Sequence, residues 1–136
     1  MSVAGSCLCQ SVRYEIDGEL LDAGNCHCSM CRKLHGAAFA TYATVSPESF
    51  RWTSGEDLVT AFESSPGQER LFCAKCGSSL AGSTEGRIDA VTPGTIDGDP
   101  GIRPRSHIFV GSKAEWHEIN DDLPCFDEWP PGEGWA

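Results

Sequence analysis

Short runs of β-branched and aromatic residues dominate the hydrophobic pattern of the chain. The clearest are SVRYEID at 11–17, AAFATYATVS at 37–46, LVTAFESS at 58–65 and SHIFVGS at 106–112. Gly, Pro, Ser and Asp separate these runs, which is the pattern of short strands joined by turns. The chain is therefore predicted to be mostly β.

Helical signals are few. Only SMCRKLHG at 29–36 and SKAEWHEI at 112–119 could carry a helical turn or two, which argues against helices layered on a parallel sheet. The chain shows no repeat, no low-complexity segment and no internal linker, so residues 1–136 are predicted to form one domain.

The C-terminal stretch LPCFDEWPPGEGWA contains three prolines, two glycines and no hydrophobic period. It is predicted to be an extended arm that ends in a tail at 130–136. Phe126, Trp129 and Trp135 are expected to pack back on the body of the protein.

The net charge of the chain limits the kinds of partner that it can bind. Twenty acidic residues against ten basic ones give a net charge of -10, which argues against nucleic acid or an anionic membrane as partner, because both need clustered cations. No run approaches the ~18 apolar residues of a membrane span. The start MSVAGSCLCQ has neither a basic segment nor an apolar run, so we expect a cytoplasmic location.

The cysteines carry the strongest chemical signal. An even set of eight could form disulfides, but in a reducing compartment clustered thiols more often bind metal or do chemistry. Cys125 stands alone. The other seven fall into three tight groups, namely Cys7 with Cys9, Cys26 with Cys28 and Cys31, and Cys73 with Cys76.

The two outer pairs predict a closed metal site. CAKCG places Cys73 and Cys76 at knuckle spacing, and Gly77 permits the positive φ that such a turn often needs. Cys7 and Cys9 would lie on one side of an extended segment. Four sulfurs are the ligand set of a structural zinc ion. An iron-sulfur cluster is an alternative, and buried free cysteines would be an improbable coincidence as two matched pairs.

The remaining triplet of Cys26, Cys28 and Cys31 predicts a different site. Three protein ligands with an open fourth position are the pattern of a catalytic zinc ion. Three thiolates leave the site negatively charged, so it should acidify water less than an all-histidine site does. Such a site suits a substrate thiol, which would bind as the reactive thiolate.

Charged and titratable neighbours extend this hypothesis. Arg32 and Lys33 directly follow the triplet and are candidates for binding the carboxylates of an anionic thiol such as glutathione, although an exposed Arg-Lys pair is usually only solvated. His27 should point away from the ligands, and His35 is left open as a base or fourth ligand. His107 and His117 are interpreted as ordinary, partly buried histidines, and complete the set of four.

The order of these motifs resembles the glutathione-dependent formaldehyde-activating enzyme family, whose wider group includes centromere protein V. The resemblance runs from about Gly5 to Trp129. It is carried by GSCLCQSVRY, NCHCSMCRKLHGAAFA, LFCAKCGSSL, VTPGTID, SHIFVGSKAEW and, more loosely, LPCFDEW. The combination of the three cysteine motifs in this order is far more specific than any one of them.

The resemblance implies a single β-tent-like domain with two zinc ions per chain. It implies a carbon-sulfur lyase that acts on S-hydroxymethylglutathione, the adduct of formaldehyde and glutathione. It also implies the same ligands as the spacing does: Cys7, Cys9, Cys73 and Cys76 for the structural ion, and Cys26, Cys28 and Cys31 for the catalytic one.

A second hypothesis treats the protein as a binding module without chemistry. If the C-terminal arm folded back, Cys125 could complete the triplet as a fourth thiolate and close the second zinc site. A lone cysteine among proline and aromatic residues is more often packed as a small hydrophobic side chain. A second zinc site with an open fourth position is therefore the preferred hypothesis.

Overall fold

The computed structural model describes residues 2–132. Within this range the chain forms eleven strands and one α-helix. The helix is α1 (Ser29–His35), and the strands are β1 (Ser2–Ser6), β2 (Arg13–Asp17), β3 (Asp22–Cys26), β4 (Ala40–Thr44), β5 (Phe50–Ser54), β6 (Val59–Ser65), β7 (Gln68–Cys73), β8 (Ser79–Thr84), β9 (Arg87–Val91), β10 (Ile96–Asp97) and β11 (His107–Ile108).

These strands form two sheets. The smaller has the order β10-β1-β2-β5, and the larger has the order β11-β3-β4-β9-β8-β7-β6. Neighbouring strands are antiparallel except for β11, which pairs in parallel with β3. The prediction of a mostly β fold with little helix is confirmed.

Three of the predicted strands and the predicted helix are present. The runs at 11–17, 37–46 and 58–65 contain β2, β4 and β6, and the helical signal at 29–36 is α1. The helix ends where Gly36 adopts a left-handed conformation, with φ 59°, and its N–H donates to the carbonyl of Arg32.

Two segments near the end of the body differ from the prediction. The run at 106–112 is a strand only at β11, because Phe109 adopts a positive φ of 55° that breaks the extended backbone. Residues 113–119 form no helix. There the ammonium of Lys113 donates to the carbonyls of Ala114 and His117, which holds the segment in a compact turn instead.

The main core draws on both sheets. Tyr14 and Ile16 of β2 pack with Leu80 of β8 and Val91 of β9, and all four are almost fully buried. A second, smaller cluster consists of Cys26, Cys31, Ala40 and Ile108. Four partly buried residues pack against it, and they are Cys28, Tyr42, Phe109 and Phe126. The cysteine triplet therefore belongs to this second cluster and not to the main core.

Taken together with Asp121 and Asp122, the C-terminal arm is described as far as Gly132 and runs back along β11 and the turn that follows it. Phe126 N–H donates to the carbonyl of His107, at 2.9 Å, and Val110 N–H donates to the carbonyl of Phe126. The rings of Phe109 and Trp129 lie 5.0 Å apart in an edge-to-face contact. Phe126 and Trp129 therefore pack on the body, whereas Trp135 lies outside the described residues.

No helix within residues 2–132 is both long enough and apolar enough to cross a membrane.

Burial in the main core predicts a specific cost. Leu80→Ala should lower the free energy of unfolding by about 2–5 kcal/mol, because it removes buried contacts and leaves a cavity. The matched change Leu21→Ala, at a side chain 60% exposed, should cost no more than about 0.5 kcal/mol. Urea denaturation of both variants measures the difference. Equal losses would mean that the β8 side of the core is not packed as described.

Candidate metal centre

The outer cysteine pairs meet between the two sheets. Cys7 and Cys9 lie in the turn after β1, which belongs to the four-stranded sheet. Cys73 ends β7 of the seven-stranded sheet, and Cys76 lies in the turn before β8. All four sulfurs lie within 4.8 Å of one another, so this outer group connects the two sheets.

The spacing of the outer group fits a tetrahedral zinc ion. The sulfur of Cys9 lies 3.6 Å from that of Cys7 and 3.9 Å from that of Cys73. Four sulfurs bound to zinc at about 2.3 Å would be about 3.8 Å apart in a regular tetrahedron. Backbone N–H groups also point at the sulfurs, from Val12 to Cys7 at 3.3 Å and from Lys75 to Cys73 at 3.4 Å.

Local backbone geometry turns both pairs toward this point. Gly77 has the positive φ expected of the second knuckle, 79°, and its N–H donates to the carbonyl of Cys73. The first pair does not lie on an extended segment, and that prediction was wrong. Gln10 N–H donates to the carbonyl of Cys7 at 3.0 Å, and Gln10 has a φ of 67°, so the chain forms a tight turn that brings the two sulfurs together.

Side-chain hydrogen bonds and burial set the ionisation of the outer group. The hydroxyl of Ser78, 3.2 Å from the Cys76 sulfur, contributes most to lowering the pKa of that thiol to about 5. Burial raises the pKa of Cys7, which is almost fully enclosed. A neighbouring cation would favour the thiolate form of all four cysteines.

The middle triplet is assembled within one short stretch of chain. Cys26 ends β3, Cys28 is the N-cap of α1, and Cys31 lies one turn into the helix. Their three sulfurs lie within 4.8 Å of one another. The N–H of Cys31 donates to the sulfur of Cys28 at 3.3 Å, so the helix cap and the metal-binding geometry use the same side chain.

The three sulfurs favour a cation between them. Hydrogen bonds from Cys26 and Cys31 lower the pKa of Cys28 to about 2. The hydrogen bond to Cys28, followed by that to Cys31 and by burial, raises the pKa of Cys26. Their mutual hydrogen bonds thus shift the pKa values of Cys26 and Cys28 in opposite directions. Three cysteine thiolates are a donor set that zinc accepts readily, and it leaves a fourth position open.

Arg70 of β7 is the cation that contacts the triplet. Its Nη1 lies 3.9 Å from the sulfur of Cys31, and its Nε donates to the hydroxyl of Ser64 at 3.0 Å. Lys33 lies on the same side of α1 as this guanidinium, and the two line a common groove. Neither forms an ion pair with a carboxylate of residues 2–132.

Arg32 lies in a different place from Lys33. Its positive charge helps to lower the pKa of His27, and its Nε is buried with no hydrogen-bond partner among residues 2–132. The structure therefore separates the two predicted substrate-binding residues. Lys33 faces the groove beside Arg70, and Arg32 lies toward the histidines.

Arg70 lines two sizeable cavities, and cysteines of the triplet line the second of them. The first, which we call the helix groove, has a volume of about 270 Å³ and is lined by Met30, Lys33, Leu34, Phe62, Ser64 and Arg70. The second, the sheet cavity, has a volume of about 220 Å³, and its walls include Cys26, Cys31, Tyr42, Arg70, Ser83 and Trp129. The cysteine triplet is therefore open to a ligand from the sheet side.

A buried pair of histidines supports the triplet from behind. His27 points away from the sulfurs, and its Nε2 shares a hydrogen bond of 2.8 Å with Nδ1 of His107. His107 is 2% exposed and also bonds the carboxylate of Asp121 at 2.9 Å, so its interpretation as an ordinary, partly buried histidine was wrong. Burial, with the charges of His107 and His117, lowers the pKa of His27 to about 4.

Comparison with known proteins agrees with this arrangement. Residues 2–112 match the glutathione-dependent formaldehyde-activating enzyme family. The chain belongs to this family. The prediction made from the order of the cysteine motifs is therefore confirmed.

Individual relatives are more distant. A stretch of 76 residues is 30% identical to an uncharacterized lyase of Schizosaccharomyces pombe, and covers 56% of this chain and 53% of that protein. This chain thus spans about half the length of the curated relative. A crystal structure of a Rhodobacter sphaeroides protein has a TM-score of 0.59 at 27% identity, over 75% of this chain and 92% of that chain.

The family match contains most of the site but not all of it. Arg70, Tyr42 and Ser83 lie within 2–112, yet no sequence motif marked them as site residues. Each stands on its own strand, and only the pairing of those strands brings it near the triplet. Trp129 lies beyond the matched region and reaches the sheet cavity through the C-terminal arm.

The different placement of the two cysteine groups predicts unequal effects on stability. Cys73→Ala should lose one zinc ion and unfold at a clearly lower temperature, because the outer group connects two sheets. Cys28→Ala should also lose one zinc ion but melt much closer to the parent protein, because its group spans only six residues of chain. Metal analysis and thermal melting of zinc-loaded proteins test both. Equal destabilisation would show that the triplet is a structural site as well.

Proposed function

We propose that the protein is a zinc-dependent lyase that forms or breaks the carbon-sulfur bond of a thiol adduct, such as S-hydroxymethylglutathione. The family name and the relative named a lyase support the reaction class. The observation that carries the proposal is the cysteine triplet itself. Two of its cysteines, Cys26 and Cys31, line the sheet cavity, and the sulfur of Cys31 lies beside an arginine that has no carboxylate partner within residues 2–132.

The donor set explains why a thiol is the expected substrate. A zinc ion held by Cys26, Cys28 and Cys31 would supply an open position at which a substrate sulfur binds as a thiolate. Because the three cysteine ligands already carry negative charge, the site is poorly suited to making hydroxide from water. The outer group has four sulfurs and no such opening, so its proposed role is structural.

Positive side chains would position the thiol. Glutathione carries two carboxylates, and a chain with a net charge of -10 can attract it only through local cations. Arg70 and Lys33 supply that local charge at the helix groove. By contrast, four arginines already face carboxylates, namely Arg51, Arg87, Arg103 and Arg105.

The proposed reaction needs no oxidant or reductant. In the direction of adduct formation, the thiolate sulfur attacks the carbonyl carbon and a carbon-sulfur bond forms. The electron pair of the carbonyl π bond moves to oxygen, which takes up a proton and becomes a hydroxyl. Arg70, beside the sulfur of Cys31, would favour the negative charge that passes from sulfur to oxygen in this step.

Cys125 is not part of the triplet in this structure. Its side chain is exposed, its sulfur lies 3.6 Å from the carbonyl of Leu123, and among residues 2–132 it is not in the group of mutually close sulfurs. This placement favours the open site over the closed binding module. The two hypotheses differ in the number of sulfurs around the second metal, which cobalt spectroscopy measures.

Cobalt substitution tests the open site directly. The visible spectrum of the cobalt-loaded protein should change when glutathione is added, because a thiolate enters the coordination of the metal. Cys125→Ser should keep both metal ions and the same response. A visible spectrum that glutathione leaves unchanged, but that Cys125→Ser alters, would establish the closed binding module. It would contradict the hypothesis that the protein is a lyase.

Arg70 should contribute more to the affinity for glutathione than any ion-paired arginine does. Arg70→Ala should weaken glutathione binding about 10- to 100-fold, the usual loss for a hydrogen bond to a charged group. Arg103→Ala, which removes an exposed partner of Asp99, is the matched control and should leave the affinity unchanged. Calorimetric titration of both zinc-loaded variants gives the comparison. Equal glutathione affinities in the two variants would show that Arg70 does not contribute to binding of the thiol.

A further inference from the structure

Two buried hydroxyls adjoin the triplet without a hydrogen-bond partner among residues 2–132. They are Oη of Tyr42 and Oγ of Ser83, and both residues line the sheet cavity with Cys26 and Cys31. Ser83 is only 4% exposed. Buried polar groups in folded proteins are almost always hydrogen-bonded, and one that is left unpaired destabilises the fold. Two such groups in one cavity therefore indicate a ligand with an acceptor or a hydroxyl of its own.

Small residues on the sheet create the space. Arg70 pairs with Gly82 across β7 and β8, Gly82 pairs with Ala90 across β8 and β9, and Ala90 pairs with Thr44 across β9 and β4. Directly paired residues point to the same face of a sheet. Gly82 and Ala90 thus form a low floor between longer side chains, and the cavity lies above it.

A glycine places the tyrosine. A Cβ built on Gly24 would lie only 2.7 Å from Oη of Tyr42, so the absence of a side chain lets the phenol lie across β3. This position brings Tyr42 against the cluster that contains Cys26 and Cys31. The phenol hydroxyl of Tyr42 can both donate and accept a hydrogen bond there.

The cavity is larger than formaldehyde requires. Its volume of about 220 Å³ corresponds to roughly seven water molecules in the liquid, at about 30 Å³ each. Formaldehyde has one carbon and one oxygen. Trp129 forms part of the wall, packed against Phe109, so the space is bounded by an apolar side chain as well as by the hydroxyls.

We propose that the sheet cavity binds the aldehyde-derived part of the thiol adduct, that the hydroxyls of Tyr42 and Ser83 bind its oxygen, and that the preferred aldehydes are larger than formaldehyde. This proposal rests on the lyase function proposed above. The helix groove takes the remainder of the thiol, where Lys33 and Arg70 meet its carboxylates. The substrate class is therefore an S-(1-hydroxyalkyl) thiol adduct.

Cleavage of such an adduct balances without a further reactant. The hydroxyl proton of the adduct leaves, and the electron pair of its O–H bond becomes the carbonyl π bond. The carbon-sulfur bond breaks and its electron pair stays on sulfur. The products are an aldehyde, a thiolate and a proton. Tyr42 and Ser83 hold the oxygen throughout, and neither is consumed.

Stable thioethers test the cavity without turnover. We expect the zinc-loaded protein to bind S-(2-hydroxypropyl)glutathione about tenfold more tightly than S-methylglutathione in calorimetric titrations. Tyr42→Phe or Ser83→Ala should each remove most of this preference, because each deletes one hydroxyl. Tyr14→Phe is the matched control. It deletes the only other tyrosine hydroxyl, bonded to Thr95 at 2.7 Å in the main core, and should keep the preference.

Kinetics with two aldehydes test the size of the substrate. The ratio of kcat/KM for the glutathione adduct of propanal to that of formaldehyde should exceed one. Ala90→Leu should lower this ratio at least tenfold, because the longer side chain fills the floor of the cavity. Tyr14→Phe should leave the ratio unchanged.

The outcomes separate this proposal from the one on which it rests. If glutathione binds and changes the cobalt spectrum, but the two thioethers bind equally or both hydroxyl variants keep the preference, the cavity assignment is wrong and the lyase remains. The cavity assignment is also wrong if Ala90→Leu does not change the ratio of kcat/KM between the propanal and formaldehyde adducts. If glutathione itself neither binds nor alters the spectrum, both proposals fail together.

Discussion

The convergence of four cysteine sulfurs between the two sheets is the constraint on which the rest of the structure depends. The β1 turn contributes two of them and the β7–β8 knuckle contributes the other two, so the group crosses the main core. The sheets have no strand in common, and three of their strand pairs cover only two residues each. A metal ion at this point would contribute folding free energy directly, since its ligands are brought together only in the folded chain.

The triplet depends on this framework in a different way. Its ligands lie within one β3–α1 junction, so their mutual spacing is local. Its surroundings are not local, because Arg70, Ser83 and Tyr42 come from three other strands of the seven-stranded sheet. The cysteine triplet and the cavity beside it are therefore built by separate parts of the fold. Such a division would let the cavity lining vary while the three cysteines stay in place.

The arm joins these two parts. His27, between two ligands, bonds His107, and His107 bonds Asp121 at the start of the arm. Further along, the arm pairs with the backbone after β11 and brings Trp129 to the sheet cavity. The same segment thus supports the triplet through the two histidines and, through Trp129, forms part of the wall of the sheet cavity. That segment lies outside residues 2–112, the region matched to the family.

The sequence by itself determined whatever depends on neighbouring residues. The mostly β class, the helix at Ser29–His35, the knuckle at Gly77 and the division of seven cysteines into groups could all be predicted, because each follows from local spacing. Strand pairing is not local. Only the tertiary structure decided that Arg70 lies against Cys31, that Gly82 and Ala90 leave a cavity, and that His107 is buried against His27. A side chain on a strand gains its neighbours from register, and register is set by contacts across the whole sheet.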